Sequence, residues 1–378
     1  MNWKNQRVLI IGAARQGLAL ARYLSEEGAE VILTDLRSEK DLIAERESLS
    51  EYSIYWVLGE HPLRLLEGTT LVCPSGGVPL TIPLLLEAKK QGIPFSNDAQ
   101  IFLQAAPCKV IGITGSAGKT TATTLVHLMA KAAVKKGIYK QAFIGGNIGN
   151  PLIADLDNMT QDDIVVMELS SFQLEQFSTS PKVAALLNIT PNHLDRHVTM
   201  EAYTKAKQNI LKFQNPEDFA ILGREDQIAW GSSANIKGNI LSFGHEKIEI
   251  EQFGTFIHED HIWIRYVEGE SQIMPVDEVA LLGDHNLLNV LAACAIAAAA
   301  GLPIETMRTG INSFEGIPHR LEFVRSWGGA DWYNDSIATA PERSMAGILS
   351  FDQSIVLLAG GRDKDLPWDD FAILVAEK

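Results

Sequence analysis

The chain holds only three cysteines, Cys73, Cys108 and Cys294, and they stand far apart. Neither a disulfide framework nor a CxxC metal spacing can be built from them. A reducing compartment, the cytoplasm, is therefore expected. Positive charge is also scarce: 32 Lys and Arg against 47 Asp and Glu leave a formal net charge of -15. No basic run gathers a patch fit for a polyphosphate backbone, so no nucleic-acid partner is expected. No apolar run reaches the roughly 20 residues of a membrane span. The most apolar stretch, NVLAACAIAAAAGL (Asn289–Leu302), reads as a buried core helix. The first residues lack the apolar segment and small-residue cleavage site of a secretory signal, so neither membrane insertion nor export is expected.

What is present is a globular mixture. Hydrophobic residues make up 46% and charged residues 21%, enough apolar surface to offset the entropy of ordering the chain. A length of 378 residues exceeds one ordinary core, and about 100–200 residues per domain gives two or three. RVLIIG (Arg7–Gly12), a helically spaced LALARYLSEEG (Leu18–Gly28) and AEVILTD (Ala29–Asp35) predict a β-α-β unit. Such unbroken aliphatic runs belong to a parallel sheet covered on both faces. TTLVCPSGGV (Thr69–Val78) and GIPFSN (Gly92–Asn97) continue the alternation, and a first Rossmann-like domain is expected over 1–98.

CKVIGIT (Cys108–Thr114) restarts the pattern, with a helix from Lys119 and strands at DIVVMEL (Asp163–Leu169) and VAALLNI (Val183–Ile189). From about 219 to 275 short alternating segments predict a small antiparallel annex, with TFIHEDHIWIRYV as a hairpin. Helical spacing returns before the linker-like EGIPHRLE (Glu315–Glu322), so the central domain is expected over 99–317. The remainder, 318–378, predicts strands at ADWYNDS and SIVLLAGG around a helix near Pro341–Leu349. It is too short for a doubly wound domain and stops inside the apolar pattern WDDFAILVAEK, so an incomplete Rossmann-like C-terminal domain is expected. The fold class is α/β throughout, with a P-loop central domain.

GITGSAGKTT (Gly112–Thr121) departs from the GxxxxGK[ST] spacing, because Ile113 stands five places before Gly118. What survives is Gly115-Ser116-Ala117-Gly118-Lys119-Thr120, between a strand and a helix. There, backbone amides and the helix N-terminus converge on an anion, Lys119 offers a point charge to β- and γ-phosphates, and Thr120 a hydroxyl to Mg²⁺. The plainer reading is a glycine turn with a solvated lysine; the strand-loop-helix context argues against it. Glu168 ends the buried run VVMEL, where α/β sheets present ligand-binding groups. A carboxylate there is costly unless paired, and Mg²⁺ would pair it. LNITPNHLDRH (Leu187–His197) brings His193 and Asp195 to the same sheet edge. Each of these acids and imidazoles also reads as a capped loop residue, and convergence of three strand ends favours a site. GAARQG (Gly12–Gly17) resembles a dinucleotide fingerprint with Ala14 in place of the middle Gly, and Asp35 stands where a ribose would be held. HEDH (His258–His261) has neither the spacing nor the helix of HExxH and reads as a solvated turn.

In order, GITGSAGKTT, ELSSFQL, NITPNHLDRH, YTKAK, GDHNLLNVLAA, PHRLE and NDSIAT resemble the Mur ligases over essentially the whole chain. SSFQL and GGNIG (Gly145–Gly149) are similar to the D-glutamate-adding branch. This family and its folylpolyglutamate synthase relatives use the shortened phosphate loop. The resemblance implies a cytoplasmic, monomeric, ATP-dependent amide ligase of peptidoglycan synthesis that adds D-glutamate to UDP-N-acetylmuramoyl-L-alanine through an acyl phosphate. It implies Lys119, Glu168, His193 and Lys207 as the catalytic set. Gly115, Ser116, Ala117, Gly118, Lys119, Thr120 and Thr121 would surround the ATP phosphates. Thr120 and Glu168 would hold one Mg²⁺, His193 a second, and a carbamylated Lys207 would bridge toward both; the residues alone read Lys207 as an exposed helix lysine. Asn286, Asn289, Arg320 and Asp335 would face the nucleotide. Asn147 would lie near the reacting carboxylate, while Thr34, Asp35, Arg37, Ser75 and Gly76 would grip the UDP, loop packing being the alternative.

Two departures bear on the acceptor side, where Thr339 and Lys364 are expected. Ile337 and Ala340 replace the Lys and the final Asn of the family's NDSKATN, and Lys364 in GGRDKD is the nearest replacement cation. The family's other D-glutamate contacts lie in a C-terminal stretch not found in these residues, so weak or no ligation is expected of this chain. The alternatives are another Mur ligase or folylpolyglutamate synthase, or a catalytically silent nucleotide-binding paralogue. An NAD-dependent dehydrogenase would account for the N-terminal half only.

Overall fold

A computed structural model describes residues 2–249, 252–267, 269–362 and 366–378. The chain divides into two compact units, Met1–Lys119 with Val134–Ile240, and Thr120–Ala133 with Leu241–Lys378.

The first unit begins with a four-stranded sheet. Strand β1 (Arg7–Ile11) leads through α1 (Arg15–Glu26) to β2 (Glu30–Asp35), and α2 (Ile43–Ser48) to β3 (Ile54–Leu58). After β4 (Leu71–Pro74) come α3 (Pro83–Lys90) and α4 (Asp98–Ala105). The order is β3-β2-β1-β4, all parallel. Val8, Leu9, Ile10 and Ile11 are fully buried because helices cover both faces of β1. Leu20, Ala21 and Leu24 of α1 form the matching helical stripe. The strand expected at Gly92–Asn97 reduces to a single parallel bridge between Val72 and Phe95. Pro94 there has no amide to extend the ladder.

A second set of parallel strands follows. It comprises β5 (Lys109–Thr114), then after α5 (Lys119–Lys135) β6 (Ala142–Gly146), β7 (Ile164–Glu168), β8 (Val183–Leu186) and β9 (Phe219–Gly223). Their order is β9-β8-β5-β7-β6, and α6 (Ser171–Leu174), α7 (Leu194–His197), α8 (Met200–Lys212) and α9 (Gln227–Gly231) fill the connections. The expected antiparallel annex is corrected at its start. Val183 pairs in parallel with Phe219, so β9 belongs to the parallel layer, buried like its neighbours.

The second unit takes over within β10 (Asn239–Phe243), whose end pairs in parallel with β11 (Gly254–His258). Strands β11, β12 (His261–Tyr266) and β13 (Gly269–Pro275) are antiparallel neighbours. Glu259 and Asp260, with φ of 47° and 56°, make the two-residue turn the hairpin requires. Helix α10 (Asp284–Ala299) is buried on nearly all sides, as its composition predicts. In α11 (Ile304–Asn312), Gly310 lies so close to α5 that a Cβ would come 2.5 Å from Met129 Cγ.

Beyond it come β14 (Glu322–Trp327), β15 (Ala330–Asn334), α12 (Pro341–Leu349) and α13 (Asp369–Glu377). The strand expected at ADWYNDS forms, but as half of an antiparallel ribbon with β14. The strand expected at SIVLLAGG does not form, and Val356 and Leu358 are 90% and 80% exposed. An aliphatic run becomes a parallel strand only beside other strands, and among the described residues this one has none. No helix among the described residues is long and apolar enough to cross a membrane.

Candidate active site

The loop after β5 is pinned from the segment after β8. Ser116 donates its amide to the Asn188 carbonyl (3.0 Å) and its hydroxyl to the Thr190 carbonyl (2.9 Å), and the Tyr203 hydroxyl lies 2.9 Å from the same Ser116 oxygen. The Asn188 side chain clasps the next peptide on both sides. Its Oδ1 accepts from Ala117 N at 2.9 Å and its Nδ2 donates to Ala117 O at 3.2 Å. Gly115 has no room for a side chain, since a Cβ would meet Leu187 Cβ at 2.9 Å. Gly118 adopts φ 79°, the left-handed turn that a glycine tolerates before a helix starts.

Two lysines converge on this loop. Lys119 Nζ donates to the carbonyls of Gly115 (2.8 Å) and Ser116 (3.2 Å), and Lys207 Nζ, from α8, donates to Gly115 O at 2.8 Å. The expectation of an exposed helix lysine at 207 is corrected: it is 2% exposed. Burial first, and the Lys119 ammonium second, push the Lys207 pKa from 10.5 down to about 6 against an opposing pull from Glu168.

Glu168 closes β7, whose register sets it beside Ile113 of β5 and Gly146 of β6. It is 1% exposed. Asn147 follows β6 and holds Glu168 twice, by its amide to the Glu168 carbonyl (2.9 Å) and by Nδ2 to Oε1 (2.7 Å). Because β7, β5 and β8 are adjacent, Glu168, the Lys119 loop and the segment leading to His193 all leave the same C-terminal sheet edge. His193 caps α7 with φ 53°, is exposed, and meets the Phe172 ring edge-on at 5.1 Å. Asp195 lies in α7, and its side chain is outside the described part of the structure.

At the first sheet, Asp35 Oδ2 accepts from Ala13 N (2.7 Å) and from Arg37 Nη2 (3.0 Å). Burial raises its pKa, but the Arg37 side chain, the Arg37 and Ala13 amides and the Arg37 charge outweigh it and hold it at about 2. Thr34 is fully buried, with its hydroxyl on Glu60 O (3.1 Å) and His61 Nδ1 (2.9 Å). Ser75 donates to Gly12 O (3.1 Å), and the Gly76 carbonyl accepts from Arg196 Nη1. Thr34 therefore faces its own domain, while Asp35 and Arg37 form a pair at the strand end.

In the second unit, Thr120 and Thr121 open α5, and Arg320 Nη1 donates to Thr121 Oγ1 at 3.3 Å. Asp335 accepts from Leu321 N (3.1 Å), and burial raises its pKa against the pull of that amide and of Arg320. Asn286 and Asn289 are buried on one face of α10, with Asn289 Nδ2 3.3 Å from Asn286 Oδ1. Thr339 N bonds Ile337 O at 2.9 Å just before α12, and Lys364 lies outside the described residues. His258 and His261 are the closing pair of the β11–β12 hairpin, in keeping with a turn.

Two family profiles match the chain: the Mur ligase middle domain over residues 113–297, and the Mur ligase MurD-like, N-terminal domain over 6–96. The UDP-N-acetylmuramoylalanine--D-glutamate ligase of Koribacter versatilis (strain Ellin345) is 38% identical over 379 residues, covering 100% of this chain and 82% of the relative. The chain belongs to the Mur ligase family. The ligase of the same name from Symbiobacterium thermophilum is 37% identical, covering 99% of this chain and 81% of its own. Among solved structures, the UDP-N-acetylmuramate:L-alanyl-gamma-D-glutamyl-meso-diaminopimelate ligase from Neisseria meningitides has a TM-score of 0.55 at 17% identity, covering 82% of this chain and 99% of its own. MurF from Acinetobacter baumannii has a TM-score of 0.53 at 20% identity, covering 92% and 68%. These two establish the α/β fold of the Mur ligases.

The family is ATP-dependent and generally requires Mg²⁺. Among the described residues of this Mur ligase, no group of three or more His, Cys, Asp or Glu is arranged to hold a metal ion. The donors near the loop nevertheless fit Mg²⁺. Glu168 is a buried, hard carboxylate at a strand tip, and this ion keeps waters and phosphate oxygens as most of its ligands. Sequence reasoning passed over Asn188, Tyr203, Phe172 and Arg196. Their signal was present only as polar and aromatic residues within the motifs already quoted, Asn188 just after β8 and the other three in the helices that follow β7 and β8.

Proposed function

We propose that the protein ligates D-glutamate to UDP-N-acetylmuramoyl-L-alanine at the expense of ATP, in peptidoglycan precursor synthesis, as a cytoplasmic monomer. The reading is carried by the arrangement of two lysines on the Gly115 carbonyl beside the buried Glu168–Asn147 pair. A carboxylate does not condense with an amine at neutral pH. One oxygen of the free carboxylate of the L-alanyl residue attacks the γ-phosphorus, the bond to ADP breaks, and an acyl phosphate forms. The D-glutamate amine then adds to the acyl carbon, loses a proton, and the tetrahedral intermediate expels phosphate.

Lys119 and the loop Gly115, Ser116, Ala117 and Gly118, held in shape by Asn188, would stabilise the transferring phosphoryl group. Thr120 and Glu168 would hold one Mg²⁺ and His193 a second; bound there, Mg²⁺ supplies positive charge for the phosphate oxygens. Lys207, largely neutral at pH 7 with a pKa of about 6, has the free lone pair needed to add CO₂ and release a proton, which gives the carbamate proposed to face both ions. Asn147 would orient the reacting carboxylate. Asp35 and Arg37, with Ser75 and Gly76, would form the UDP end, and Thr339 and Lys364 the D-glutamate end. Thr121, Asn286, Asn289, Arg320 and Asp335 would serve the nucleotide. The proposed domains are 1–98 for the UDP substrate, 99–317 for ATP and 318–378 for the amino acid.

Phosphate release with MgATP, UDP-N-acetylmuramoyl-L-alanine and a panel of amino acids tests the proposal. D-glutamate should be the acceptor that supports turnover, at a weak rate in keeping with Ile337 and Ala340. Turnover with L-alanine, a diamino acid or a folate substrate instead would overturn it, and ATP binding without acyl phosphate would mark a silent paralogue.

A further inference from the structure

Arg196 makes contacts that neither nucleotide binding nor phosphoryl transfer requires. Its Nη1 donates to the Gly76 carbonyl, its Nη2 to the Val78 carbonyl at 2.8 Å, and its guanidinium carbon lies 4.0 Å above the Phe172 ring. Phe172 in turn gathers α7: His197 stacks on it with centroids 5.2 Å apart and planes 7° from parallel, and His193 meets its edge at 5.1 Å. Helix α7 is a single turn flanked by His193 and Val198, both at positive φ, 53° and 66°. A non-glycine residue there persists only when its surroundings hold it. On the far side, a Cβ added at Gly77 would meet nothing within 4 Å, so the loop after β4 is open and its carbonyls are fixed from across by the arginine fork.

We infer that Arg196 is a positioning residue that locks the Gly76–Val78 loop to the turn presenting His193. This rests on the proposed function, in which that loop seats the UDP substrate and His193 faces the ions. The fork fixes the separation between the two, so that the L-alanyl carboxylate of the substrate reaches the phosphoryl group when the UDP end is seated. A planar guanidinium donates from two nitrogens to two carbonyls while lying flat on a ring; a lysine ammonium, a single point of charge, does not reproduce the fork and the stacked face together.

The test measures, for the full chain, the Kd of UDP-N-acetylmuramoyl-L-alanine and of ATP by calorimetry, and the half-saturating Mg²⁺ for turnover. Arg196→Ala should weaken the muramyl substrate and raise the Mg²⁺ requirement by roughly tenfold each, with the ATP Kd unchanged and Arg196→Lys recovering part of the loss. Phe172→Leu, which keeps an apolar filler but removes the ring, should raise the Mg²⁺ requirement with a smaller effect on the muramyl substrate. If Arg196→Ala leaves substrate Kd and Mg²⁺ requirement at wild-type values, or shifts ATP binding equally, the inference is overturned. A wild-type protein that binds the muramyl nucleotide but ligates nothing would count against the proposed function alone, and the calorimetric comparison still decides the role of Arg196.

Discussion

Lys207 shows how one buried amine ties stability to pH. Its pKa falls from 10.5 to about 6. Below about pH 6 it is charged in both folded and unfolded chains, and the native state bears the full cost of the buried ammonium. Between pH 6 and 10.5 the unfolded chain holds a proton the native one lacks, so stability rises with pH across that window. In CO₂-free buffer, Lys207→Met should flatten this rise in the urea midpoint and abolish ligation; an unaltered pH slope would refute the placement. Asp35 gives a slope of the same sign over a lower window, but through a carboxylate that folding stabilises. Held at about 2 against an ordinary 3.8, its stabilisation is present above about pH 4 and lost as pH falls through 2, so Asp35→Asn should soften the acid limb of the unfolding curve. Asn188 acts through the loop it clasps. Asn188→Ala removes both bonds to the Ala117 peptide, a net loss of about 1–3 kcal/mol in loop order, and should weaken ATP at least several-fold in a fluorescent-nucleotide titration. Asn188→Asp, which keeps the acceptor and loses the donor, should not restore it.

Among the strands, the tip of β6 is built to carry the tip of β7. Gly146 sits at φ 98°, and a Cβ there would lie 2.3 Å from the Glu168 carbonyl oxygen. Gly146→Ala should cost roughly 1–3 kcal/mol of strain and depress turnover more than it lowers the melting temperature of the fold, because Asn147 and Glu168 move with it. A variant with wild-type turnover would show that the pairing of these tips is incidental. The strands with unbroken aliphatic runs, β1, β2, β5, β7 and β8, were legible because burial on both faces leaves an unmistakable pattern. Strand β3 was missed: IYWVL is an edge strand with exposed Tyr55 and half-buried neighbours, a weaker signal. SIVLLAGG was expected for the same reason as β1, yet hydrophobicity marks a strand only where partners exist.

For the folded chain taken together, ligand binding should register as stability. At MgATP concentrations near 100 times Kd, a single binding site stabilises the native state by about 2.7 kcal/mol, so thermal unfolding should shift upward with MgATP, and EDTA should remove most of that shift. A formal charge of -15 leads to the expectation that DNA or RNA gives no shift at low salt; a shift would contradict that reading. The amino-acid order was enough for the α/β class and the ligase motifs, since glycine spacing, a lysine before a helix and carboxylates ending aliphatic runs are local properties of neighbouring residues. It was not enough to say which of those residues meet. That Lys207 is buried against the carbonyl Lys119 also holds, that Asn147 grips Glu168, and that Arg196 reaches Gly76 from 120 positions away became fixed only when the chain folded. Such contacts depend on the order of strands in the sheet and on which side chains lose water together, and neither is written in any one stretch of the chain.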